Sequence, residues 1–217
     1  MSATPDQPVQ TTTRGVVRAL DADPVSDDGR LVEGLRAAEP WARLALFDRF
    51  GPHVERLLRR VLGPDPELAD ALQETFLQAM TSAAGLRDSR SLKPWLSAIA
   101  VHTARGLIRR RRVRSWLRFW DPDELPDVVD PSRADSPARE AVHRTYAILA
   151  TLPANERIAF TLRFVEGMEL VEAAEACRCS LATVKRRIDR ALESFVQAAR
   201  GDDVLEAWVE RGRWADQ

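Results

Sequence analysis

Residues 92–114 read LKPWLSAIAVHTARGLIRRRRVR and divide into an apolar half and a cationic half. At helical spacing, one stripe carries the residues that we expect to pack against neighbouring elements, namely Leu92, Trp95, Leu96, Ile99, Ala100, Thr103 and Leu107. The cationic half holds Arg105, Arg109, Arg110, Arg111, Arg112 and Arg114 without an acidic residue among them. This pattern predicts a helix that is anchored at one end. Its other end is either a solvated charged terminus or a surface that holds a polyanion.

The composition is that of a soluble folded protein. The chain has 217 residues, of which 45% are hydrophobic and 30% are charged, and this predicts one or two domains. The two cysteines, Cys177 and Cys179, are too close for an ordinary disulfide framework and have no partners for a zinc site. We therefore expect a cytoplasmic protein with no cofactor. No apolar run approaches the roughly 18 residues of a membrane span, so we expect no membrane insertion.

The chain divides into two helical units. We predict a disordered segment at 1–28 and a first helical domain at 29–115. An acidic, proline-containing linker at 116–137 leads to a second helical domain at 138–200 and a tail at 201–217. The predicted fold class is therefore all-α, with two small helical domains joined by a flexible linker.

A helix that starts near Asp65 and ends near Met80 carries a mixed face. Asp65 is the expected N-cap, and Asp70, Gln73, Glu74 and Leu77 lie opposite the apolar side. An exposed leucine among acidic and amide side chains favours contact with another protein over contact with nucleic acid. A simple solvated face is the alternative.

The second unit ends in a helical pair with the spacing of a helix-turn-helix. Glu169–Ala176 forms a short helix, Cys177-Arg178-Cys179 a turn, and Ser180 caps a helix to about Ala199. The buried stripe of the second helix is Leu181, Val184, Ile188, Leu192 and Phe195, whereas Thr183, Arg186, Arg187 and Arg190 face outward. Lys185 could reach a phosphate. The pattern predicts entry into a DNA major groove, with an ordinary basic hairpin as the alternative.

Three segments carry a family resemblance. Residues 70–76 (DALQETF) resemble a D-x-x-Q-E-x-F segment, residues 93–100 (KPWLSAIA) an R-T-W-L-x-x-I-A segment, and residues 183–187 (TVKRR) a G-T-V-K-S-R segment. In this order the chain resembles the bacterial RNA polymerase sigma factors of the extracytoplasmic-function (ECF) group. Residues 31–115 resemble their region two, and residues 138–199 resemble their region four.

The resemblance implies a sigma factor that directs core RNA polymerase to promoters and helps to open the DNA. It implies that Asp70, Gln73, Glu74 and Leu77 bind core polymerase and that Thr183, Lys185, Arg186, Arg187 and Arg190 bind the upstream promoter element. It assigns binding near the start site to Arg87, Ser89, Arg90, Ser91, His102, Arg105, Arg109 and Arg110. An anti-sigma factor is a further expected partner.

The chain departs from the family pattern at a few positions. His102 and Gly106 stand where the family commonly has Asn and Asp, and Ala182 replaces its usual Gly. Arg178 stands where glycine is frequent, which is costly if the turn needs a left-handed residue.

The sequence argues against an enzyme and leaves two other function classes open. His53, His102 and His143 lie in separate segments without a catalytic arrangement, so we expect no enzyme. A stand-alone helix-turn-helix regulator that binds DNA without polymerase is the principal alternative, and a protein-interaction adaptor is a third.

Overall fold

The computed structural model describes residues 24–86, 92–118, 137–200 and 202–206. Within these ranges it contains eight α-helices and no β-strand, which confirms the predicted all-α class. The helices are α1 (Pro24–Arg36), α2 (Pro40–Leu62), α3 (Leu68–Ser82), α4 (Leu92–Arg118), α5 (Pro137–Thr151), α6 (Ala154–Phe160), α7 (Leu170–Cys177) and α8 (Leu181–Ala199). We refer to α1–α4 as the N-terminal module and to α5–α8 as the C-terminal module.

Helix α2 forms one wall of the N-terminal module. Pro40 occupies its first turn, where a missing N–H has no cost, and the helix runs through Pro52 without ending there. It ends at Leu62, and the C-cap residue Gly63 has a φ of +75°. A β-carbon at Gly63 would lie 2.8 Å from the Tyr146 ring, so the absent side chain also lets the C-terminal module approach.

Helix α4 is the central helix of the protein. The predicted stripe from Leu92 to Leu107 is buried, except that Trp95 is half-buried. Burial is not confined to this stripe, because every residue from Leu96 to Val101 is buried. Helices α2, α3 and α7 all contact α4, so that α4 has neighbours from both modules.

The C-terminal module has a small core of its own. Phe160 stacks on Phe195 with ring centroids 5.0 Å apart, and both side chains are buried. Ala141, Leu149 and Leu205 pack in the same cluster. Leu205 belongs to the predicted tail, so residues 202–206 are docked on this module, whereas Trp208 and Trp214 lie outside the described residues.

The two modules share a second, larger core. Ile158 and Leu162 of α6 and the turn after it join the same apolar cluster as α2 and α4, together with Ala173 of α7 and Val184 and Ile188 of α8. The sequence predicts two domains joined by a linker. The structure adds that these domains pack directly on each other.

Some element limits differ from the prediction. Helix α1 begins at Pro24, inside the segment 1–28 for which we expected no ordered structure, and α4 extends to Arg118, inside the predicted linker. Helix α3 begins at Leu68, and the Asp65 carboxylate instead accepts from the Glu67 N–H at 2.8 Å in the preceding turn. Residues 119–136 of the predicted linker lie outside the described residues, and Pro137 is the first residue of α5. The remaining domain limits stay predictions.

Candidate interaction surfaces

The face of α3 that the sequence singled out is open to solvent. Asp70, Gln73, Glu74 and Leu77 are all exposed, and Leu77 retains 49% of its accessible surface. Their spacing places them on one side of the helix, while Ala71, Thr75 and Phe76 are buried on the other. The structure therefore brings the four residues together. Their role in polymerase binding stays a prediction.

Two large apolar side chains of α2 are exposed. Leu44 and Phe47 lie in the first half of α2 and are 68% and 48% exposed. Phe47 lies edge-on against Phe76 of α3, with ring centroids 5.0 Å apart, so this apolar surface borders α3. Phe47 therefore adds exposed apolar surface beside α3.

The residues predicted to contact DNA on α4 fall into two groups. His102, Arg109 and Arg110 are exposed on the helix surface, as a DNA contact requires. Arg105 is half-buried and its Nη2 donates to the Cys177 carbonyl oxygen at 3.4 Å, while its buried Nε has no hydrogen-bond partner. In this conformation Arg105 therefore faces α7.

Gly106 leaves room for a side chain on α4. A β-carbon there would lie 3.7 Å from an Arg110 nitrogen, which is ordinary contact. The helix therefore needs no glycine at this position, and Gly106 only weakens it by about 1 kcal/mol relative to alanine. Arg87, Ser89, Arg90 and Ser91 lie outside the described residues.

The second helix of the predicted helix-turn-helix forms with the expected cap. The Ser180 side chain accepts from the Thr183 N–H at 3.2 Å. Lys185, Arg186 and Arg190 are exposed, whereas Thr183 and Arg187 are half-buried, and Arg187 donates to Cys179 Sγ at 3.6 Å. Val184, Ile188 and Phe195 are buried as predicted, but Leu181, the first residue of α8, is 42% exposed.

The turn before α8 does require a left-handed residue. Arg178 has a φ of 51° and ψ of 52°, and its N–H is bonded back to the end of α7. An arginine in this conformation is strained relative to glycine. The prediction that a missing glycine would be costly here is therefore supported by the geometry.

The cysteine beside this turn is a structural residue. Cys177 is buried, and burial raises the pKa of its thiol to about 11. Both Cys177 and Cys179 are free thiols. Since reactive cysteines need a lowered pKa, Cys177 serves packing rather than chemistry.

A histidine lies where α2 and α4 meet the C-terminal module. His53 Nε2 is 2.9 Å from Ser97 Oγ, and the Ser97 hydroxyl donates to the Lys93 carbonyl. His53 Nε2 must therefore donate, which leaves Nδ1 to accept from Arg56 at 3.3 Å. Burial, with Lys93 and Arg56 nearby, lowers the pKa of His53 below 6.5, and the neighbouring Glu166 opposes this shift only in part.

In the part of the chain that the structure describes, no three His, Cys, Asp or Glu side chains are grouped so that they could hold a metal ion. Likewise, none of the helices in the described ranges has the length and apolar character to cross a membrane.

Comparison with known proteins matches the two modules separately. Residues 46–114 match the family model described as sigma-70 region 2, and residues 143–195 match the model described as sigma-70, region 4. The chain is 29% identical to the RNA polymerase sigma-H factor of Pseudomonas aeruginosa over 79% of its own length and 93% of that protein. It is also 29% identical to the ECF RNA polymerase sigma-E factor of Escherichia coli K12, over 77% and 92% of the two chains.

Solved structures of similar fold were also found. A structure of CnrH in complex with the cytosolic domain of CnrY matches with a TM-score of 0.56 at 22% identity, over 83% of this chain and 100% of that chain. The sigma factor RpoE from Bartonella quintana, solved with the anti-sigma factor NepR, matches with a TM-score of 0.50 at 20% identity, over 70% and 92%. These two likenesses support the fold.

Proposed function

Because this chain belongs to the extracytoplasmic-function group of bacterial RNA polymerase sigma factors, we propose that its exposed helix faces divide the work of promoter recognition. A sigma factor binds core RNA polymerase, directs it to promoters and helps to open the DNA. In this chain the α3 face binds the polymerase, α4 contacts DNA near the start site, and α8 reads the upstream element.

This assignment rests on the different surface chemistry of α3 on one hand and of α4 and α8 on the other. The α3 face presents two carboxylates, an amide and a leucine, which suits a protein partner and repels a DNA backbone. Helices α4 and α8 instead present exposed arginines, which attract phosphates. Acidic and basic faces on separate helices allow polymerase and promoter to be bound at the same time.

Helix α8 suits readout of the major groove. Its N-terminal half is exposed at Lys185 and Arg186, and Arg190 follows one turn later. Arginine side chains on a recognition helix can bind guanine edges in bidentate fashion, whereas lysine serves mainly as a phosphate contact. We propose that Arg186 and Arg190 contribute to base readout and that Lys185 fixes the register of the helix on the backbone.

Helix α4 suits contact with the strand that is opened. His102, Arg109 and Arg110 are exposed along the helix. Opening a base pair costs a few kcal/mol, which contacts to the separated strand must offset. Arg105 joins these contacts once it leaves the Cys177 carbonyl.

Chemistry at the start site is performed by the polymerase, and this chain supplies binding energy and promoter choice. It acts in the cytoplasm, where core polymerase and the chromosome are. An anti-sigma factor is the expected regulator, since one of the structures of similar fold was solved with such a protein.

Reconstitution with core RNA polymerase tests the proposal. The purified chain is mixed with core enzyme and a promoter library with randomised elements, and transcripts are sequenced. We expect initiation from a defined subset that depends on the added chain. Specific binding of duplex DNA without binding to core polymerase would instead establish a stand-alone regulator.

A further inference from the structure

We propose that a cavity between the end of α2, the basic half of α4 and helices α5 and α6 binds a small organic phosphate through Arg157, His143 and Arg112. The ligand class that fits is a phosphate monoester with a partly apolar body, for example a nucleoside monophosphate. The site belongs to the chain by itself and is independent of the function proposed above.

The cavity has the dimensions of a small-molecule site. Its volume is about 470 Å³, and ligand pockets usually measure about 300–1,000 Å³. Leu62 and Ile108 line it from the N-terminal module, and Ala147 and Leu152 line it from the C-terminal module. These apolar walls suit the body of an organic molecule, which an inorganic ion lacks.

The charged groups on the walls are mainly cationic. Arg111, Arg112 and Arg157 line the cavity, and Asp65 supplies the one carboxylate among the described residues that line it. That carboxylate is already engaged, because Arg111 donates to it through both terminal nitrogens. The walls therefore carry an excess of positive charge, which attracts an anion.

A buried arginine on the cavity wall has no carboxylate partner. Arg157 is 9% exposed, and it donates from Nε to the Val61 carbonyl at 3.1 Å and from Nη2 to the Leu62 carbonyl at 2.7 Å. Among the described residues no carboxylate forms a salt bridge with it, although buried charges are usually paired. The carbonyls at the end of α2 stabilise the cation in part. Nη1 is left to donate to a further acceptor.

The electrostatic surroundings of Arg157 favour an added anion. Burial lowers the pKa of its guanidinium, Arg111 lowers it as well, and Tyr146 and Asp65 raise it in part. An arginine nevertheless stays charged at neutral pH, so the lowered pKa means that its cationic form lacks stabilisation here. A phosphate beside Nη1 would supply that stabilisation through a charge-assisted hydrogen bond.

Two further donors line the same cavity. His143 is half-buried on α5, and Arg112 is exposed on α4. A phosphate monoester presents three terminal oxygens and can accept from an imidazole and from guanidiniums at the same time. A carboxylate presents only two oxygens. Donors from three helices therefore favour a phosphate over a carboxylate.

Isothermal titration calorimetry of the full chain tests the site, with AMP as the organic phosphate. We expect AMP to bind saturably at one site. Adenosine lacks the phosphate and glycerol 3-phosphate lacks the apolar body, so each should bind about tenfold more weakly or worse. Citrate, the carboxylate probe, should be weaker by a similar factor.

Three results of the calorimetry would contradict the proposal. Absence of saturable AMP binding overturns the site. Equal binding of glycerol 3-phosphate and AMP would indicate an adventitious ion only and also overturns it. Equal binding of citrate and AMP overturns the preference for phosphate.

Substitutions on the cavity wall test the residues. Arg157→Lys keeps the charge but loses the planar donor fork, and it should weaken AMP binding about fivefold or more. Arg112→Met should weaken it about threefold or more. Arg109→Met is the matched control, because Arg109 is an exposed arginine of the same helix that does not line the cavity, and it should change the affinity less than about twofold.

Circular dichroism checks that each variant is folded. Unchanged AMP binding in the Arg157 or the Arg112 variant overturns the role of that residue. Equal losses in the Arg112 and Arg109 variants would reflect the net charge of α4 and overturn the cavity as the binding site.

The histidine rings report where AMP binds without any substitution. His143 lines this cavity, whereas His102 is exposed on α4 and does not line it, and His53 lies beside Ser97. Addition of AMP should shift the NMR signals of the His143 ring and leave those of His102 and His53 in place. Shifts at His102 without shifts at His143 would locate AMP on the outer surface of α4 and overturn the site.

Discussion

Arg111 donates through both terminal nitrogens to the carboxylate of Asp65, with 2.5 Å between Nη2 and Oδ1. The Asp65 side chain is 1% exposed, and Glu67 lies 3.5 Å from the same guanidinium. Arg111 therefore ties the basic half of α4 to the turn before α3. The run of arginines that reads as uniform in sequence contains residues with different functions.

Substitution should separate these functions. Arg111→Met leaves the buried Asp65 carboxylate without its cation, and we expect a loss of about 2 kcal/mol in the free energy of unfolding, measured with urea. Arg109→Ala and Arg110→Ala should change this free energy by less than about 0.5 kcal/mol. Each should instead weaken promoter binding by the holoenzyme. Each should also reduce the slope of the logarithm of the affinity against the logarithm of the salt concentration by about one unit. A stable Arg111→Met protein with equally weakened promoter binding would contradict this division.

The polymerase and upstream surfaces should be separable in the same way. Asp70→Ala with Glu74→Ala should weaken binding to core polymerase at least tenfold, because both carboxylates lie on the exposed α3 face. Arg186→Ala with Arg190→Ala should leave that binding intact and reduce binding of the upstream element. Affinity for labelled core enzyme and promoter footprinting measure the two effects. If either pair abolished both activities, the assignment of the surfaces would be wrong.

Stability should fall as the solution becomes mildly acidic. His53 has a folded pKa below 6.5, so the unfolded chain binds a proton that the folded chain does not accept. The free energy of unfolding should therefore decrease as the pH drops through 6.5 toward the folded pKa. His53→Gln should reduce this dependence between pH 7.5 and 5.5. An NMR titration of the His53 ring should show the lowered pKa, and identical pH dependence in both proteins would count against it.

The strained turn offers a stabilising substitution. Arg178→Gly should raise the free energy of unfolding by about 1 kcal/mol, because glycine adopts a φ near 51° without a steric penalty. For a chain of this size the melting temperature should rise by about 2–4 °C. Arg178→Ala is the control, since alanine lacks the arginine side chain but keeps the strain, and it should give no increase. Equal stabilisation by both would point to the arginine side chain instead.

Much of the fold follows from periodicity. The stripe of α4, the end of α2 at Gly63 and the Ser180 cap are fixed by local spacing and by the chemistry of helix ends. The exposed α3 face was also predicted correctly. These features depend on residues within a turn or two of each other, which is why one sequence is enough to find them.

The contacts between modules could not be predicted in this way. Arg157 and Leu62 are 95 residues apart, and nothing in the local pattern of α6 distinguishes a buried arginine from a solvated one. Ser97 and Ala104 form part of a second buried side of α4, but small residues carry a weak periodic signal. Leu44 and Phe47 fit an apolar period but are exposed. The period alone does not show whether another element of the fold covers such residues.

The shared core has a practical consequence for work with fragments. Ile158, Leu162 and Val184 are fully buried in a cluster that includes residues of both modules, so cutting the chain at the linker would uncover apolar surface on each half. Such fragments should be prone to self-association, because the apolar surface that they expose is buried in the intact chain. Affinities measured on them would therefore not be those of the intact protein. The intact chain is the unit on which binding should be measured.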